Sequence, residues 1–354
     1  MRKPWALLAV AAGFLGGCGT IWKGRTQMDS HVRHEAGKVW LDGLHRHDVR
    51  LNQLGNLLAC ARYLGYGQSE AWLAGATAFA FALNVGDDLC PSGPSAWADH
   101  KLLPLAANAG LHVKTFHRSK SQPDFAAKQK QAFAKVREAI DAGMPVIGCE
   151  MVVPEVYLVI GYDGDGHYCF LDFEEGKTGT LHHEKLGFLW FQFPELGPSA
   201  DDRTTVREAL ARAIDLAEGK GFDSRSCGLR SYDNWIQGLA DARDGKPGFG
   251  AAYNAACWSD CRRLTVPFLQ EAKRRLDDRK LDPHFDEAIE RYAVVSARLA
   301  EVAALFPLAL GKDGQMAERF KDDARRRKAT EALAQAKSAE AAGLAALKNI
   351  LKEL

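Results

Sequence analysis

The sequence predicts an α+β protein: a small sheet packed among helices in the amino-terminal half, followed by an all-helical carboxy-terminal half. Three observations carry this. Between Met144 and Phe173 the β-rich runs YLVIGY and HYCFLDF flank Asp163-Gly164-Asp165-Gly166, whose Gly and Asp residues supply the positive-φ positions of a hairpin turn. Ahead of that pair, PDFAAKQKQAFAKVREAIDAG has helical periodicity and ends at Gly143-Met144-Pro145, a stop signal leading into the strand-like PVIGCE. Past Pro194 helical patterns follow one another almost without interruption. At 354 residues and a formal charge of +1, the chain is long enough for two domains and gives no electrostatic case for nucleic acid.

The chain opens on MRKPWALLAVAAGFLGGCGT: basic residues, an apolar run too short to span a bilayer, then small residues before Cys18. Residues 1–17 read as a signal peptide. Leu15-Gly16-Gly17-Cys18 resembles the bacterial lipobox, which implies cleavage before Cys18, lipidation of its thiol and amine, and a protein held on a membrane by more than one acyl chain. Gly19 after that Cys is similar to the pattern sorted to the outer membrane of Gram-negative bacteria, facing the periplasm. Residues 18–50 are polar and read as a tether.

Leu51 to Gly65 places Leu54, Leu57, Leu58, Ala61 and Leu64 at helical spacing, a core-facing helix. Ser69 caps a second, SEAWLAGATAFAFAL, apolar nearly all round and expected to be buried on most sides. GDDLCPSGPSAWAD is loop by composition. A short helix near 102–109 then precedes the strand-like LHVKTFH.

GPSADDR forms a linker, and residues 203–312 read as a helical domain, with helices expected at 206–218, 232–242, 251–276 and 283–305. Asp202 or Thr204 caps the first, and Pro283 suits the first turn of the last. Residues 313–354 form an Ala-rich helix with a sparse Leu stripe, expected to pack on the helical domain or to meet a protein partner. Tyr232, Trp235, Trp258 and Arg262 are candidates to line a ligand pocket facing the first domain. Their i, i+3 and i, i+4 spacings fit a packed core face equally well.

Apart from Cys18 the cysteines are Cys60, Cys90, Cys149, Cys169, Cys227, Cys257 and Cys261, an odd set without the dense spacing of a disulfide scaffold. Cys257 and Cys261 have no CxxC partner, and His45/His47 and His182/His183 are isolated pairs. No metal or other cofactor is expected.

ARYLGY (61–66), AGATAFAF (74–81), GMPVIG (143–148) and PEVYLVIGYD (154–163) with Leu171-Asp172 stand in an order that resembles the papain-like fold. More narrowly they resemble the bacteriocin-processing (double-glycine) cysteine peptidases and the butirosin biosynthesis protein H amino-terminal family. The likeness implies a papain-like domain over 51–195, and GLRSYDNWIQGL and CWSDCRRLTVPFL are similar to the helical segment following it in butirosin-family relatives. It also implies a site. Papain-like chemistry needs a thiolate, a base and a group to orient that base. Counting back from Gly65 puts the family's nucleophile at Asn52 and its oxyanion glutamine at Arg46. The base falls at Glu155 and the orienting carboxylate at Asp172. An amide and a carboxylate cannot form a thiolate–imidazolium pair, so the triad is degenerate. The expectation is a lipoprotein binding a peptide or small molecule in the inherited groove, with Glu155 and Asp172 at the ligand. The alternatives are an acyl-transfer or hydrolytic enzyme using Glu155 and Asp172 as acid and base or a relocated thiol, Cys90 the least implausible, and a structural envelope protein.

Overall fold

The computed structural model describes residues 31–95, 99–173, 176–220, 227–241 and 247–354. Cys18 and the signal-like segment lie outside these residues. The architecture is α+β: an antiparallel sheet of eight strands with a helical region after it.

The expected tether ends earlier than its composition suggests. Strands β1 (Val32–Glu35) and β2 (Lys38–Leu41) form a hairpin turned at Ala36-Gly37, and β2 adds to the sheet beside β5 (Val156–Asp163). Polar side chains there face solvent from an edge hairpin, so composition alone read them as linker. Helix α1 (Asn52–Tyr63) and helix α2 (Glu70–Ala76) follow, with the Ser69 hydroxyl accepting from Trp72 N at 2.9 Å.

Helix α2 stops short of the expected length. Thr77 turns its hydroxyl back onto the carbonyls of Leu73 and Ala74, Ala78 takes a left-handed φ of 60°, and the chain continues as a 3-10 turn at Phe79–Phe81. The backbone carbonyls freed here acquire partners from the far half of the chain.

Helix α3 (Asp99–Asn108), β3 (Leu111–Ser119), α4 (Phe125–Asp141) and β4 (Val146–Cys149) come next. The hairpin of β5 and β6 (His167–Leu171) turns at Asp163, whose carboxylate accepts from the backbone N–H groups of Asp165 and His167. β7 (Thr178–His182) extends it, and β8 (Phe188–Leu196) pairs with both β4 and β3. The main path through the sheet is β1-β2-β5-β4-β8-β3, with β6 on β5 and β7 on β6. Gln192 of β8 meets Gln53 of α1 at 2.8 Å, while its neighbour Phe193 faces the groove beside α4. Alternation along the strand therefore puts α1 and α4 on opposite faces of the sheet.

The helical region comprises α5 (Asp202–Ala217), α6 (Leu229–Asp241), α7 (Gly248–Leu276), α8 (Asp282–Leu305), α9 (Asp313–Lys321) and α10 (Asp323–Glu353). Its core is continuous with that of the sheet half. Helix α2 lies against α7 so closely that a Cβ on Gly75 would sit 1.9 Å from the Phe268 ring. The Ala-rich α10 packs on α8, α6 and α5, and its Leu333, Leu344 and Leu347 are buried within the chain. The apolar stripe considered for a protein partner is thus covered by the protein's own helices. Among the described residues no helix is long and apolar enough to cross a membrane.

Candidate functional site

The segment from Glu150 to Glu155 controls where the first site residue points. Glu150 adopts a left-handed φ of 58°, its N–H donates to the Glu155 carbonyl at 2.9 Å, and Val153 N–H donates to the Tyr157 hydroxyl at 3.0 Å. This tight loop holds the Glu155 side chain at the entrance of β5. Opposite it, Asn52 occupies the first turn of α1, 8% exposed.

Between them stands a residue from the helical region. The Tyr253 hydroxyl of α7 donates to Glu155 Oε1 at 2.8 Å and accepts from Asn52 Nδ2 at 3.1 Å. Ser95 Oγ donates to the same Glu155 oxygen at 2.5 Å. On the other side Arg46 Nη2 reaches Asn52 Oδ1 at 3.3 Å, and Nη1 reaches the backbone carbonyl of Asp172 at 2.9 Å. The result is one hydrogen-bonded chain running Arg46, Asn52, Tyr253, Glu155, Ser95.

These groups line a cavity of about 360 Å³. One wall is apolar: the Arg46 guanidinium lies 4.7 Å from the centre of the Phe173 ring, and Phe249, stacked on Tyr253 at 5.7 Å, joins Val153, Leu308 and Leu310 around the mouth. Arg50 also lines it, exposed, and its guanidinium has no partner among the described residues. Burial, and then the charge of Arg50, push Arg46 below its ordinary value. Burial, reinforced by Cys257 and Glu155, pushes the Tyr253 phenol far up, so it donates as a neutral hydroxyl. No protein-family model matches this sequence, and comparison with characterised proteins finds no significant match. The site stands on its geometry alone.

The residues anticipated from sequence divide into two groups. Arg46, Asn52 and Glu155 are brought together. Asp172 reaches Arg46 directly through its backbone carbonyl and adds its charge from farther off; its carboxylate accepts from Phe173 N at 2.6 Å, and Phe173, not Asp172, lines the cavity. The pairing of Glu155 and Asp172 as acid and base across the cavity is therefore corrected, because Glu155 lines the cavity and Asp172 does not.

Tyr232, Trp235, Trp258 and Arg262 are corrected as pocket residues, since all are 0% exposed. Arg262 donates through Nη1 to the carbonyls of Ala80 and Ala82 at 2.9 and 2.8 Å, and through Nη2 and Nε to Glu340 at 2.6 and 3.2 Å. Tyr232 donates to Glu340 at 2.5 Å. Burial opposes the Arg262 charge, but Glu340 outweighs it and holds the guanidinium protonated. This network ties the broken end of α2 to α7 and α10.

Tyr253 and Phe249 escaped the sequence reading. Their only signal was an aromatic pair at i, i+4 in GFGAAYNAAC, which any packed helix carries.

None of the seven described cysteines is in a disulfide. Burial raises the thiols of Cys60, Cys257 and Cys261, with Cys261 pushed up to about 12, and activated thiols require the opposite shift. Cys90, half-buried, has its sulfur 2.9 Å from the Ser92 hydroxyl. No cysteine lines the cavity. Among the described residues no group of three or more His, Cys, Asp or Glu side chains is arranged to hold a metal. A larger, open trough of about 850 Å³ runs between α4 and the β3 edge, where Lys114 pairs with Glu195 at 2.7 Å and Arg137 lies over Tyr162 at 4.9 Å.

Proposed function

We infer that the protein is a binding module, a papain-like domain whose catalytic groups have been replaced, which holds a peptide or small molecule in the cavity between α1, the β5 entrance and α7. One observation carries the reading: the chain from Arg46 to Glu155 lines a concave, largely apolar cavity with polar groups converging on one wall and no thiol among its lining residues. The position where the resemblance expects a nucleophile holds the Asn52 amide, and both ends of that amide are engaged within the protein. Acid–base hydrolysis by Glu155 and Asp172 lacks its second member at the cavity.

The same reading places the module in a bacterial envelope, anchored through a lipidated Cys18 and facing the periplasm from the outer membrane. What supports this is the sequence around residues 15–19, LGGCG, at the end of an apolar run.

Two measurements test the proposal. Incubated with a fluorogenic peptide library, the protein is expected to release no product; turnover abolished by iodoacetamide overturns the binding-module reading in favour of a cysteine peptidase. Mass spectrometry of the amino-terminal peptide from the native host is expected to find an acylated Cys18, and a chain still beginning at Met1 overturns the anchor.

A further inference from the structure

The cavity carries charges of both signs, each with unspent capacity. Arg46 offers five N–H groups, and the protein takes up two through Asp172 O and Asn52 Oδ1. Arg50, an exposed residue of the cavity lining, uses its backbone N–H on Asp260 at 2.7 Å, and its guanidinium has no hydrogen-bond partner among the described residues. Neither guanidinium has a carboxylate within ion-pair distance among the described residues, although other arginines of this chain, such as Arg203, Arg263 and Arg275, do. The charge of Asp172 supports Arg46 only from beyond ion-pair distance, so two adjacent cations without a paired acid form an anion site that a ligand carboxylate can complete.

Glu155 is the complement. Its Oε1 accepts both Ser95 and Tyr253, whereas Oε2 has no donor among the described residues. An ammonium group there would complete it. Guanidinium and carboxylate are not adjacent, because the Asn52 amide and the Tyr253 hydroxyl stand between them. One amino acid carries its ammonium and carboxylate on the same carbon, whereas two or three residues at about 3.3–3.6 Å each carry them apart and so match two sites separated by other side chains. The volume of about 360 Å³ lies at the low end of small-ligand pockets, about 300–1,000 Å³, too small for a folded partner. The apolar part of the lining, with Phe173, Phe249 and Leu308, asks for apolar side chains.

We propose that the cavity binds a short apolar peptide by both of its free ends, the carboxylate at Arg46 and Arg50 and the ammonium at Glu155, with the side chains on the aromatic and leucine wall. This rests on the binding-module reading and gives it a ligand class. Recognition of both ends fixes length, so longer or end-blocked peptides are excluded by unpaired charge as well as by size.

Titration calorimetry of the intact protein with Leu-Leu, N-acetyl-Leu-Leu, Leu-Leu-amide, the doubly blocked dipeptide, leucine and decanoate tests it. Leu-Leu is expected to bind tightest, and blocking either end is expected to weaken binding at least about tenfold, the cost of one charge-assisted hydrogen bond. Glu155→Gln, which keeps an acceptor for Ser95 and Tyr253, is expected to bring Leu-Leu down to the N-acetyl level and to leave N-acetyl-Leu-Leu unchanged. Arg50→Gln, at an exposed position, is expected to weaken every ligand with a free carboxylate. If the doubly blocked dipeptide binds as tightly as Leu-Leu, the cavity is a binding site but end recognition is wrong. Decanoate binding more tightly than Leu-Leu also overturns the proposal, in favour of an acyl chain. If nothing binds, the binding-module reading falls together with it.

Discussion

Two arginines face the two ends of this molecule's polar chemistry and have opposite fates. Arg262 is wholly buried, paired with Glu340 and two backbone carbonyls, so its donors meet fixed acceptors inside the protein. Arg46 is half-buried, touches one amide oxygen and one carbonyl, and keeps the rest of its guanidinium toward a cavity with Arg50 beside it. Helix α7 serves both, through Arg262 itself and through Tyr253 at the cavity. The difference teaches how to separate architecture from recognition: a buried charge that is fully answered holds the fold, and one left partly unanswered beside open space is set for something else.

The comparison breaks first at Arg262. Arg262→Met leaves the Glu340 carboxylate buried without its partner and is expected to cost about 3–5 kcal/mol by urea denaturation, while the double replacement Arg262→Met with Glu340→Leu is expected to recover most of that. A double variant as unstable as the single one would show that the carbonyl contacts to Ala80 and Ala82 matter more than the ion pair.

The next effect is with pH. The thiols of Cys257 and Cys261 lie on α7 between the two networks, and burial raises both, Cys261 from 9.0 to about 12. The unfolded chain releases these protons near 9.0 while the folded one keeps them, so over that interval the unfolded state binds fewer protons and stability falls as pH rises. Denaturation midpoints are expected to be flat with respect to these thiols below pH 9 and to decline above it, by about 1.4 kcal/mol per pH unit for each thiol held protonated. Cys261→Ala is expected to shallow the decline.

Tyr253→Phe removes the hydroxyl that joins Asn52 to Glu155. It is expected to cost about 2 kcal/mol in stability, the net worth of two hydrogen bonds, and to loosen Asn52 and Glu155 together. Smallest is Arg50→Gln, expected to change stability by no more than about 0.5 kcal/mol, since its side chain is exposed and holds nothing in the fold. A large loss there would place Arg50 with Arg262 and erase the contrast.

Much of the framework was legible because it is local. The β5–β6 hairpin is announced by Asp163 to Gly166, and α4 by its amphipathic period and its Gly143 stop. Departures from that pattern come from contacts distant in sequence. Nothing near Thr77 requires α2 to end, yet Arg262 and Thr265 both take the Ala80 carbonyl and so favour the broken chain. The β1–β2 hairpin was hidden because two short edge strands with polar outer faces have the composition of a linker. At the site, Asn52, Glu155 and Arg46 were found by counting along a resemblance, but Tyr253 arrives from 201 residues beyond Asn52, and no local pattern marks a tyrosine that will bridge them.

The ion pair of Arg262 and Glu340 also has a place in time. Its partners are 78 residues apart, and at about 5–20 residues per second a ribosome delivers Glu340 roughly 4–16 seconds after Arg262. Until then the arginine has carbonyls but no counter-charge, and closing the core around it is unfavourable. Nascent chains arrested before residue 340 are therefore expected to keep α7 open to protease, and chains arrested after α10 has cleared the exit tunnel to resist it: the last helix sets the moment at which the earlier ones lock.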